Sequence, residues 1–239
     1  MSIIVVDLET IPNKANRERI ENTDYLQDYN NGITKKIAAI RKKYKKDETQ
    51  KIHINEIDVL GPDELTDLSD SLKAEDIKRC SLRWYEGQII AISASVLGSS
   101  DRFTMFDNNE KDLLLSFDDY LVRETKRTDV FCGKNVDGFD LPWIKCKYLE
   151  HQITWEQSFN NKPIELNKEL FGWSSNSIQK VGLDKLGELI GRPKTSHGSA
   201  VYDLWKQERY EDILHYNYND VVICLEILKL MVKGENYEG

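Results

Sequence analysis

The sequence predicts an α/β layered domain with a mixed sheet, carrying a charged, mainly helical insertion after its first strand. Three observations predict it. A β-branched run opens the chain, a hairpin pattern restores strand character near residue 88, and helix-spaced apolar residues then alternate with short strand-like runs. The resulting order of strand, hairpin, helix, strand, helix, strand, helix is how helices are laid against a sheet.

Ser2-Ile-Ile-Val-Val-Asp-Leu-Glu-Thr10 reads as a strand buried on both faces. From 13 to 85 charges are dense and apolar residues sparse, and this stretch is assigned to an insertion within one domain spanning 1–239. Gln88 to Val96 is the second strand, Gly98-Ser-Ser-Asp101 a turn, and Arg102 to Phe106 the hairpin partner. Asp107-Asn-Asn109 can cap a helix from Glu110 towards Thr125. Asp129 to Cys132 is a further short strand. Gly133 and Gly138 then give freedom to a loop ending at Pro142, a residue suited to a first helical turn. The helix it opens runs to about Gln152, with Ile144, Tyr148 and Leu149 on one side. Ile164 to Leu166 is a last edge strand. Leu183, Leu186 and Ile190 mark a short helix that Gly191 ends. The longest periodic segment, Tyr210 to Met231, repeats Leu214, Tyr218, Val221, Leu225 and Leu228 at helical spacing.

Composition narrows the function classes. Hydrophobic residues at 40% and charged residues at 31% describe a globular chain, and no apolar run approaches the roughly 18 residues that cross a bilayer. A cytoplasmic protein with no membrane partner is expected. The net charge of −8 argues against coating duplex nucleic acid by bulk electrostatics, but it permits a carboxylate-lined metal site. Cys80, Cys132, Cys146 and Cys224 show no C-x-x-C pairing and read as small core residues.

Asp7 and Glu9 stand two apart on a strand, so both side chains leave one face at its carboxyl end, where open α/β sheets place their sites. Two carboxylates on one face repel unless a cation lies between them. Asp140 ends the loop that begins at Gly133 and sits just before Pro142, where a carboxylate is held by terminal helix amides. Tyr216 and Asp220 are four apart on the last helix and share a side of it. Each pattern alone has a bland explanation: a solvated strand end, a helix cap, a helical coincidence.

Taken in order, Asp7-x-Glu9, then Asn135-x-x-x-Phe139-Asp140, then Tyr216-x-x-x-Asp220 resemble the three signature motifs of the DEDD superfamily of 3′→5′ exonucleases. The closest likeness is to the proofreading domain of family B DNA polymerases, through Gly133-Lys-Asn-Val-Asp-Gly-Phe-Asp-Leu-Pro-Trp143 and Tyr216-Asn-Tyr-Asn-Asp-Val221. The resemblance covers residues 2–12 and 87–231. It implies a ribonuclease H-like fold, a five-stranded mixed sheet flanked by helices, and a free-standing enzyme acting at the 3′ end of single-stranded DNA.

It also implies a site. Asp7, Glu9, Asp140 and Asp220 would hold two divalent cations, Mg²⁺ or Mn²⁺, about 3.5 to 4 Å apart, as hard cations prefer oxygen ligands. Tyr216 would orient the attacking water, and Thr10, Asn135 and Phe139 would contact substrate. His215 precedes Asp220 by five residues and so satisfies the motif of the histidine subclass as well. At about 100° per residue, Tyr216 lies about 40° from Asp220 and His215 about 140° away, so only the tyrosine shares the face if the helix already runs through Leu214. His197 and Asp203 are polar residues near the expected cleft with no role assigned.

Residues 33–51 carry eight basic side chains, among them Lys42, Lys43, Lys45 and Lys46, which either grip a phosphate backbone or form a solvated helical face. Tyr25, Tyr29, Trp84 and Tyr85 offer stacking surfaces or simply pack the insertion. RNA is the nearest alternative substrate, since carboxylates and metals do not read sugars. From another class, the chain would be a non-catalytic nucleic-acid-binding module for replication or repair proteins. Such a module has no use for four metal-holding carboxylates.

Overall fold

The first strand, β1 (Ile3–Pro12), is the central strand of the sheet, and its side chains alternate between two apolar layers. Ile4, Val6 and Leu8 face one layer, and Ile3 and Val5 the other. The computed structural model describes residues 2–32, 62–124, 129–154, 161–172, 181–195 and 198–232. The basic run at 33–51, with Lys42, Lys43, Lys45 and Lys46, lies outside the described residues, as does His197.

The other strands are β2 (Gly87–Val96), β3 (Arg102–Phe106), β4 (Val130–Gly133) and β5 (Ile164–Glu165), in the sheet order β3-β2-β1-β4-β5. β2 and β3 form an antiparallel hairpin, whereas β1 with β4 and β4 with β5 are parallel. This is a five-stranded mixed sheet flanked by helices, consistent with a ribonuclease H-like arrangement.

Two compact units divide the chain: residues 1–11 with 87–239, and residues 12–86. The second contains α1 (Lys14–Asn22), a helical stretch at 25–32 and α2 (Pro62–Ser81). Asp76 organises it, pairing with Arg19 at 2.7 Å and with Arg79, and accepting from the Tyr25 hydroxyl at 2.9 Å. Burial alone would raise the Asp76 pKa, but these donors hold it well below the usual carboxylate range. The Tyr25 hydroxyl is thus tied into the insertion itself, while Trp84 and Tyr85 are exposed and meet edge to face at 5.5 Å.

In the first unit α3 (Glu110–Glu124) and α4 (Asp140–Glu150) cover one face, with Leu113, Leu114, Phe117, Trp143, Ile144 and Tyr148 packed on Ile4, Val6 and Leu8. Among the described residues after β5 are the short α-helices α5 (Leu166–Phe171), α6 (Leu183–Leu189) and α7 (Val201–Lys206). The other face is covered by α6 and by α8 (Tyr210–Val232), through Leu183, Leu186, Val221, Cys224 and Leu228 on Ile3 and Val5. Each fully buried aliphatic side chain contributes about 1.5–3 kcal/mol, so the two layers clamp β1 in place. Glu110 joins the ends of three elements: it accepts from the Ile89 amide at 2.6 Å and faces His151 at 2.8 Å and the buried Lys147 ammonium at 3.3 Å. Among the described residues no helix is long and apolar enough to cross a membrane.

Several expectations are corrected. Leu149 is 68% exposed, because Ile144 and Tyr148 point inward and a residue next to Tyr148 turns about 100° away. Cys146 is only partly buried, unlike the other three cysteines. α4 begins at Asp140, two residues before Pro142, and β1 runs on to Pro12. In α8 the buried stripe includes Ile213, Ile223 and Ile227 beside the expected Val221, Leu225 and Leu228, because the helix lies across the sheet and packs broadly; Leu214 and Tyr218 are half-buried.

Candidate active site

The alternation that buries β1 also aims its carboxylates. Asp7 and Glu9 continue the odd-numbered series of Ile3 and Val5, so they leave the face that α8 covers. Pairing of β1 with β4 is registered over Ile3 to Val5, so the two carboxylates lie just past that parallel contact. The strand itself does not end there, which corrects the expectation of a strand terminus: the opening comes from the shortness of β4.

α8 brings Tyr216, Asn217 and Asp220 to the same place. They fall at positions i, i+1 and i+4, within one helical face, and all are buried. His215 is exposed, since α8 starts at Tyr210 and runs through Leu214, turning position 215 away. Asn217 is fully buried and donates from Nδ2 to Asp7 Oδ2 at 2.7 Å, and its amide also acts on Glu9.

Asp140 reaches the cluster from the other side. The turn before it uses Asn135 in the left-handed region, φ +64°, with the Asn135 carbonyl accepting from the amides of Gly138 (3.1 Å) and Phe139 (2.9 Å). A Cβ at Gly138 would meet the Asn135 side-chain oxygen, so the glycine lets that side chain lie close over the turn. Phe139 leads into α4 without a side-chain cap, and Asp140 Oδ1 accepts from the backbone amide of Leu8 at 3.1 Å. The expected role as a helix cap is therefore replaced in part by a bond to β1.

Burial and mutual repulsion dominate the electrostatics. Asp7 and Glu9 are both pushed well above the usual carboxylate range, by desolvation first and then by the neighbouring carboxylates. Asp140 is pushed up to about 8 by desolvation, against the opposing pull of its own and the Leu8 amides. Asp220 is also raised by burial, although Lys194, the Tyr216 hydroxyl and Lys134 all pull it down. The Tyr216 phenol is raised by burial and by Glu9, Asp220 and Asp7.

Lys194 supplies the cation in contact with this cluster. Its Nζ lies 2.5 Å from Asp220 Oδ2 and donates to the Tyr216 hydroxyl oxygen at 3.1 Å. Close packing delivers it: Gly187 in α6 lets the Arg192 carbonyl approach, Arg192 donates back to the Gly187 carbonyl at 2.7 Å, and Gly191 turns the chain at φ +73°.

The donor set suits hard divalent cations, being all oxygen, desolvated and self-repelling, with Asp220 Oδ1 buried and unpartnered among the described residues. As placed, no group of three or more His, Cys, Asp or Glu side chains among the described residues is arranged to hold a metal ion. The carboxylates have protein partners here: Asp140 accepts from the Leu8 amide, Asp7 from the Asn217 side-chain amide, and Asp220 meets the Lys194 ammonium.

The remaining expected residues are placed as follows. Thr10 is half-buried on β1, three residues beyond Asp7, and so on the opposite face from Asp7 and Glu9. Asn135 is exposed and its backbone shapes the turn; Phe139 packs on the core with its ring 5.5 Å from Trp143. Asp203 is exposed on α7. Three residues were not anticipated: Lys194, Asn217 and Glu165. Glu165 is buried on β5, accepts from the Asn167 amide at 3.3 Å, and faces the backbone of Asn135 and Val136, steadying the turn that leads to Asp140. Asn217 was legible as a polar residue adjacent to Tyr216 on a buried helical face; Lys194 and Glu165 carried no local signal. No family model matches the chain, and no curated protein matches it in sequence.

Proposed function

We propose that the protein is a metal-dependent 3′→5′ exonuclease that removes nucleotides from the 3′ end of single-stranded DNA as 5′-mononucleotides. The observation that supports it most is the meeting of carboxylates from three separate stretches of the sequence beside Tyr216: the buried Glu9, Asp140 and Asp220, and the half-buried Asp7. Leaving four carboxylates desolvated and in mutual repulsion costs stability, and a cation-holding task accounts for that cost.

On this reading Asp7, Glu9, Asp140 and Asp220 hold two Mg²⁺ or Mn²⁺ ions. When bound, such ions supply a hydroxide near neutral pH, shield the phosphate oxygens and support the departing 3′-oxygen. Tyr216 holds the attacking water through its hydroxyl. That water's oxygen bonds to phosphorus as the bond to the preceding nucleotide's 3′-oxygen breaks, and a proton passes to that oxygen. Asn217 and the Leu8 amide keep Asp7 and Asp140 oriented. Thr10, Asn135 and Phe139 are assigned to substrate contact by resemblance alone. The four cysteines are free, which suits the cytoplasm as the proposed location.

The substrate is tested with 5′-labelled DNA and RNA oligomers, single-stranded and duplex, each with Mg²⁺, Mn²⁺ or chelator. Preferential shortening of single-stranded DNA from its 3′ end supports the reading; preference for RNA moves the assignment to an exoribonuclease.

A further inference from the structure

We infer that Lys194 is an internal stand-in cation: in the metal-free protein its ammonium occupies the place on Asp220 that a divalent ion takes, and it leaves when the ion binds. This rests on the exonuclease reading for the identity of the ion, but the residue is chosen by geometry. Among the described residues the Lys194 ammonium touches the cluster, 2.5 Å from Asp220 Oδ2, whereas Lys134 acts on Asp140 and Asp220 through space.

Three features make this contact more than an ordinary ion pair. The Asp220 side chain is buried at 5% exposure and that of Lys194 half-buried at 16%, yet Asp220 Oδ1 remains without a hydrogen-bond partner among the described residues. A buried carboxylate with one oxygen on an ammonium and the other empty is half satisfied. Second, the ammonium donates to the Tyr216 hydroxyl at 3.1 Å and lies 5.0 Å from the ring centroid, so it contacts Tyr216 as well as Asp220. Third, a site filled by two divalent ions has no negative charge left over for the ammonium. Four carboxylates carry four negative charges, which two divalent ions neutralise alone, and an ammonium left in place would meet the ion at contact distance in a desolvated pocket. Lysine suits the task, being a point charge on a flexible four-carbon stem, extending from a non-helical segment.

The test combines calorimetric Mn²⁺ titration of the full chain with amine acylation mapped by peptide mass spectrometry. Acylation of Lys194 in the wild type should rise severalfold on saturation with Mn²⁺, as the ammonium is released. Lys194→Met should bind Mn²⁺ about tenfold more tightly or better, the factor expected when one charge-assisted hydrogen bond no longer competes. It should also melt lower than wild type in chelator, whereas Lys194→Arg, which keeps the charge, should stay closer to wild type in both. Lys134→Met should change Mn²⁺ affinity less than Lys194→Met does. Mn²⁺ binding with Lys194 acylation unchanged or reduced would overturn the inference and leave the exonuclease reading standing, and this arm needs no variant to fold. Mn²⁺ binding to neither wild type nor Lys194→Met overturns both.

Discussion

The backbone amide of Leu8 donates to Oδ1 of Asp140 across 3.1 Å, so the strand residue flanked by Asp7 and Glu9 directly holds the third carboxylate of the cluster. Two stretches 132 residues apart in sequence are thereby set in one register. Charge and hydrogen-bond acceptance at Asp140 are separable. Asp140→Asn keeps an acceptor for Leu8 and should fold with near-normal stability while losing activity by orders of magnitude. Asp140→Leu should in addition cost about 1–3 kcal/mol, the penalty of leaving a buried amide unpaired. Denaturant melts and single-turnover rates on the two variants separate these effects.

Metal-free protein should lose stability as the pH rises. Asp140 titrates near 3.8 when unfolded and is pushed up to about 8 when folded, chiefly by desolvation, and Asp7, Glu9 and Asp220 are shifted in the same direction. A folded state that binds more protons than the unfolded one is favoured at low pH, so this contribution is fully present below about 4 and is lost as pH rises through about 8. The melting temperature in chelator should therefore fall between about pH 4 and pH 8, and Asp140→Asn should flatten the fall. Saturating Mg²⁺ should oppose the fall too, since ligands bind the deprotonated carboxylates.

Tyr216 and His215 compete for one role on sequence grounds, and α8 separates them, one buried against the carboxylates and the other exposed. Tyr216→Phe removes only the hydroxyl and should slow the chemical step by about 10- to 1000-fold. His215→Ala should change the rate little. A dead histidine variant with a normal phenylalanine variant would reverse the assignment.

Residues 33–51 make a prediction from sequence alone. Neutralising Lys42, Lys43, Lys45 and Lys46 should raise KM for long single strands and reduce the log–log salt slope by about 0.7 for each lost phosphate contact. Turnover of a dinucleotide should hardly move. An unchanged salt slope would show the run to be a solvated face.

The features legible in the sequence are those with a local period. Alternation along β1 put Asp7 and Glu9 on one face, and the period of α8 put Tyr216 beside Asp220 with His215 turned away. Features that depend on long-range packing were hidden. Lys194 reaches Asp220 because the chain after α6 is drawn against Gly187, and nothing within a few residues of it announces that approach. Glu165 is similar, a carboxylate on a two-residue edge strand whose partners are the turn amides near Asn135. Leu149 misled for the opposite reason: being apolar and next to Tyr148 suggested burial, but the facing direction is set by what α4 packs against.

The metal-dependent chemistry is tested most directly by hydrolysis of a 5′-labelled single-stranded DNA oligomer, comparing wild type with Asp7→Ala in Mg²⁺ and in excess chelator. Wild type in Mg²⁺ should give a ladder shortening from the 3′ end with release of 5′-mononucleotides, absent in chelator and slower by orders of magnitude in Asp7→Ala. An intact oligomer with folded wild type in Mg²⁺ and in Mn²⁺, or undiminished cleavage in chelator or by Asp7→Ala, would contradict it.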